Sequence, residues 1–153
     1  MNFKKLNWGV KASFRAYVEA AEGTITVSDG ATRAADGSIV FEALPDGDLS
    51  IAADGQASGS QRFQGTVTFE AHGGMLKSTL SALCVEVEGD ELVLTVQDAQ
   101  LEDNRCAIAT LVPTEDATDG ALTLSAAITI DGMYQIADNY LPGTELDPVQ
   151  LES

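Results

Sequence analysis

Two periodicities divide the chain. Between Asn7 and Ala21 the residues Val10, Phe14, Tyr17, Val18 and Ala21 recur at helical spacing, while Lys11 and Arg15 sit four apart on another side. This predicts one amphipathic helix over about 7–21, with Asn7 as N-cap and Gly23 as stop. Ser13 and Tyr17, also four apart, would share a face of it. From Thr24 onward the pattern changes to alternation, with short β-rich runs divided by turn residues.

The runs Thr24 to Val27 and Ser38 to Ala43 end at Asp29-Gly30 and Pro45-Asp46-Gly47. Leu49 to Ala52 is a weaker strand, and Asp54 to Ser60 reads as a loop. Phe63, Gly65, Val67 and Phe69 then face one way from a long strand, in which Gly65 suggests a bulge or a close backbone approach. That strand reaches a turn at His72-Gly73-Gly74, and Met75 to Ala82 returns from it. Leu83 to Val87 and Leu92 to Gln97 form a hairpin, Ala107 to Val112 and Ala121 to Ile130 add two strands, and Asp131-Gly132 closes the last. About nine strands spaced roughly ten residues apart predict a mainly β fold, an antiparallel sandwich or barrel. We expect the sandwich-like form in one domain over 1–153, β-rich over 24–136, with the helix covering one edge or end. The segment 138–153, with Pro142 and Pro148, is expected to be an extended acidic cover or partly disordered.

Length and composition fit that picture. A chain of 153 residues with 44% hydrophobic and 21% charged positions can bury a core, and no apolar run approaches the roughly 20 residues of a membrane-spanning helix. No signal peptide or anchor is visible, so the expected location is either intracellular or that of a processed exported domain. The net charge of −16 excludes a general nucleic-acid footprint. It is unevenly spread: the first 18 residues carry Lys4, Lys5, Lys11 and Arg15 and no acid, against −20 over the other 135. Either a basic helix neutralises part of an acidic β domain, or it marks a local site for an anionic group. Cys84 and Cys106 lack zinc-site spacing and read equally as a disulfide or as two packed thiols.

With one histidine, few catalytic constellations are available. No GxSxG elbow accompanies His72, no Walker, Rossmann or EF-hand sequence is present, and no pair among the 24 acids stands out. What remains is Ser13 and Tyr17 on the helix with His72 on a distant glycine-rich rim. The ordinary reading is a core-edge ring, a solvent-facing serine and a loop histidine.

The segment Leu6-Asn7-Trp8-Gly9-Val10-Lys11-Ala12-Ser13-Phe14-Arg15-Ala16-Tyr17-Val18 resembles the opening of the HtaA family of haem-transport-associated domains, whose hallmark is WGVK-x-SFR-x-YV. Val67 to Leu76, an apolar strand running into His-Gly, resembles the family's second block. The resemblance implies a mainly β domain that binds haem b in bacterial iron acquisition. By matching position it implies Tyr17 as axial ligand to ferric iron, His72 as hydrogen-bond partner of its oxygen, and Ser13 as part of the haem site.

The chemistry is coherent. A phenolate is a hard anionic donor suited to Fe(III), and an imidazole hydrogen-bonded to its oxygen can share the phenolic proton and orient the ring. Lys11 and Arg15 are candidates to meet haem propionates, and Phe14, Phe69 and Met75 to wall the porphyrin. Helix cations in solvent and ordinary core packing are the competing readings. The expected function is to carry or transfer ferric haem, with another haem carrier or receptor as partner and no membrane insertion. Two other functions stay open: an enzyme using the same pocket, for peroxide or an apolar small molecule, and a haem-free interaction module.

Overall fold

The computed structural model describes residues 3–45, 47–52, 56–97, 104–114, 121–136 and 140–153. Asp46, the first residues of the expected 54–60 loop and Asp138 lie outside them. The elements in chain order are β1 (Lys5–Trp8), α1 (Ala12–Ala20), β2 (Thr24–Ser28), β3 (Thr32–Arg33), β4 (Ile39–Ala43), β5 (Ser50–Ile51), β6 (Ala57–Ser58), β7 (Ser60–Gln64) and β8 (Thr66–Ala71). After a tight turn at His72–Gly74 come β9 (Leu76–Ser81), β10 (Cys84–Glu88), β11 (Glu91–Gln97), β12 (Arg105–Pro113), β13 (Ala121–Ile128), α2 (Ile130–Gln135) and β14 (Glu145–Glu152).

A closed barrel replaces the expected sandwich. The main sheet runs β1-β14-β13-β12-β11-β10-β7-β4-β3, and β1, at one end of that series, also pairs with β4. Leu6 stands opposite Leu151 on one side and Phe41 on the other, so eight antiparallel strands close a ring. Closure leaves no long free edge, and alternate residues fill the inside with Leu6, Phe41, Phe63, Leu94, Leu124 and Leu151. Beside the barrel lies a three-stranded sheet, β2-β8-β9, on which α1 packs. Among the described residues no helix is long and apolar enough to cross a membrane.

Gly65 explains how one expected strand becomes two. It takes φ of 124° between β7 in the barrel and β8 in the outer sheet, and a Cβ there would lie 2.7 Å from Ala31 Cβ and 2.9 Å from the Phe41 ring. It is a corner between sheets rather than a bulge.

Three further boundaries depart from the sequence reading. Asn7 sits within β1 opposite Gln150 and Val40, so it caps nothing, and α1 begins only at Ala12. At its end Glu22 takes the left-handed conformation, while Gly23 is needed because a Cβ would meet the Glu70 carbonyl oxygen. Asp131-Gly132 lies inside α2, which Thr129 caps by accepting from the Gly132 N–H at 2.9 Å. The largest departure is the C-terminal segment: β14 is a full strand of the barrel between β1 and β13, neither cover nor disorder. Cys84 and Cys106 lie on β10 and β12 with β11 between them, too far apart for the disulfide reading, and are not bridged.

Candidate functional site

Helix α1 is short and its buried residues are Phe14 and Val18. Phe14 meets Phe69 of β8 with ring centroids 4.9 Å apart, which fixes the helix on the outer sheet. Phe69 is three residues before the β8–β9 turn, so docking through it brings the next turn of α1 level with that rim. Tyr17 consequently faces His72.

The Tyr17 hydroxyl lies 2.6 Å from His72 Nε2, and the two ring centroids are 5.7 Å apart. Tyr17 nevertheless remains 50% exposed, so the pairing lies at the surface and not in the core. His72 has φ of 56°, followed by Gly73 at 66° and Gly74 at 95°. A left-handed residue costs about 1–2 kcal/mol, and histidine tolerates the region better than most. The two glycines let the chain reverse within the turn while the imidazole stays on the helix side.

A second group assembles one turn nearer the start of α1. Ser13 Oγ and Tyr140 Oη lie 3.4 Å apart, Lys11 Nζ stands 5.7 Å from the Tyr140 ring centroid, and the Tyr140 ring meets Phe14 edge-on at 6.3 Å. Tyr140 was missed by the sequence reading. It belongs to the C-terminal segment taken as a cover, and no spacing tied it to a helix more than a hundred residues earlier.

The other candidates are distributed differently. Phe14 and Phe69 are fully buried and pack on each other. Met75, just past the His72 turn, is 92% exposed. Arg15 turns away from Tyr17: its Nη1 donates to the Gly9 carbonyl at 2.6 Å and to Asp147 Oδ2 at 2.7 Å. Lys11 Nζ donates to the Glu145 carbonyl at 2.7 Å. A recess of about 680 Å³ at the β10–β11 hairpin, lined partly by Val87, Leu92 and Val112, contains none of these residues. Among the described residues no group of three or more His, Cys, Asp or Glu could hold a metal ion. The donor set at Tyr17 fits an iron that brings most of its own ligands, as haem does.

The sequence profile of the family HtaA, described as Htaa, matches residues 4–152, almost the whole chain. The chain belongs to the HtaA family. Its fold is similar to that of the C-terminal domain of HtaA from Corynebacterium glutamicum, at TM-score 0.75 and 25% identity over 98% of this chain and 97% of that one. The N-terminal domain of the same HtaA is similar at TM-score 0.74 and 25% identity over 99% and 97%. The haem-binding protein HtaB of that organism shares the fold at TM-score 0.73 and 19% identity over 98% and 91%. No curated protein sequence matches the chain. In HtaA terms, both motif blocks of the sequence thus converge, the helix block contributing Tyr17 and the strand block His72.

Proposed function

We propose that this domain binds ferric haem through the Tyr17 oxygen and carries or hands it on. The observation that supports this most is the 2.6 Å pairing of an exposed tyrosine with the chain's one histidine. A neutral phenol would donate to Nε2, and a phenolate would accept from Nε2–H. His72 can therefore keep or return the phenolic proton as the oxygen binds or leaves iron. Bound haem would supply a ferric centre that lowers the cost of the phenolate form. His72 fixes the ring in either state.

Ser13, Tyr140 and Lys11 form the polar end of the site and are suited to carboxylates such as propionates. Met75 contributes apolar surface at the rim. Arg15 is not part of this reading, because its guanidinium is already paired with Asp147. The family membership and the haem-binding relative HtaB support the ligand class. A carrier is favoured over peroxide chemistry because the single imidazole is bonded to the ligand oxygen, leaving no second one for acid–base work.

The test is hemin titration of the protein and of His72→Ala. The variant should still bind, but more weakly and with its ligand bond more easily lost on acidification. Unchanged affinity and pH profile would contradict the role given to His72.

A further inference from the structure

We propose that Asp147 is the positioning residue for the ligand helix, a clasp reaching from β14 to the segment that carries Ser13 and Tyr17. The proposal rests on the haem reading only for its functional consequence. Between β13 and β14 the register passes from Leu124 opposite Val149 to Ala126 opposite Leu146. One residue of β13 thus faces two of β14, Asp147 and Pro148, which is a β-bulge. Bulges re-aim side chains, and Pro148 lacks the N–H that the interrupted ladder would leave over.

All the polar groups of Asp147 are bonded to residues 8–15. Its N–H donates to the Val10 carbonyl at 2.9 Å, and its carbonyl accepts from Trp8 Nε1 at 2.7 Å. Oδ1 accepts from the Ala12 N–H at 3.0 Å, and Oδ2 from Arg15 Nη1 at 2.7 Å. Lys11, the residue before α1, supplies no side-chain cap, so the carboxylate of a remote strand does that work and places a negative charge at the positive end of the helix. Gly9 leaves the necessary space: a Cβ there would lie 2.2 Å from Arg15 Nη1 and 2.6 Å from Asp147 Oδ2. Val10 accepts φ of 64°, unusual for a β-branched residue, in turning the chain from β1 into α1.

Trp8, Gly9, Val10 and Arg15 are thereby assigned to holding the helix and not to contacting the ligand. A nine-residue helix is marginal by itself. Loosening its first turn would rotate Tyr17 relative to His72, and a 2.6 Å bond tolerates little rotation.

The experiment compares Asp147→Ala and Asp147→Asn with Val149→Ala, a buried change in the same strand, by amide hydrogen exchange of the hemin-free protein, melting temperature, and hemin dissociation into excess apomyoglobin. Asp147→Ala should speed exchange within residues 12–20 and hemin loss by about tenfold. Asp147→Asn, which keeps an acceptor but not the charge, should fall between. Val149→Ala should lower the melting temperature without selectively affecting either. Equal effects of Asp147→Ala and Val149→Ala on α1 exchange, or none from Asp147→Ala, would overturn the clasp. If the parent takes up no hemin, the haem reading falls, and the exchange comparison still upholds or overturns the clasp.

Discussion

Tyr17 and His72, 55 residues apart in the chain, meet at 2.6 Å because the Phe14–Phe69 contact docks α1 beside the β8–β9 rim. Charge and helical face do not reveal the partner of Arg15, 132 residues away; Asp147 engages a cation that charge logic had offered to an anionic ligand. Cys84 was also ambiguous in sequence. In the structure, burial and then the neighbouring Glu86, whose Oε2 lies 3.1 Å from the sulfur, push its thiol from about 9 up to about 11. A group raised in this way stabilises the folded state below the unfolded value and loses that contribution as pH rises through the folded one. The stability difference between the parent and Cys84→Ala should therefore shift against the parent between pH 9 and 11, by on the order of 2 kcal/mol. Denaturant unfolding of the pair at several pH values measures it, and parallel curves across that window would contradict the assignment.

Among the elements, the strands were read more reliably than the helices, since alternation survives wherever one face meets the barrel interior. The helical spacing predicts α1 too long because Val10, although buried, belongs to a left-handed turn that happens to continue it. Helix α2 was missed because Gly132 reads as a turn. Its glycine serves packing: a Cβ would lie 2.3 Å from the Ile108 carbonyl oxygen of β12 and 2.7 Å from Ile128. Gly132→Ala should destabilise the protein by about 1–3 kcal/mol, seen as a lowered denaturant midpoint at unchanged slope. A neutral or stabilising result would mean that α2 can move off β12 freely.

For the whole molecule, the barrel is what the sequence could not supply. Sandwiches and barrels share strand lengths, turn residues and alternation, and the distinction rests on β1 pairing with both β4 and β14. The closing strand comes from a segment whose two prolines suggested disorder, yet Pro148 sits at the bulge where a missing N–H matters least. Deleting residues 145–153 should therefore remove cooperative unfolding altogether, and a truncated chain that melts like the parent would contradict the closure. The charge of −16 also has a molecular consequence, since it opposes the approach of an anionic porphyrin while Lys11 and Arg15 are held by backbone and carboxylate. Hemin association should accelerate with added salt, the reverse of a basic carrier, and stopped-flow rates at two ionic strengths decide it. The most direct test of the haem reading as a whole is the absorption spectrum of hemin-loaded protein beside that of Tyr17→Phe, which removes only the ligand oxygen. The parent should show a ferric tyrosinate signature that the variant lacks; identical spectra would mean that iron, if bound, is held elsewhere.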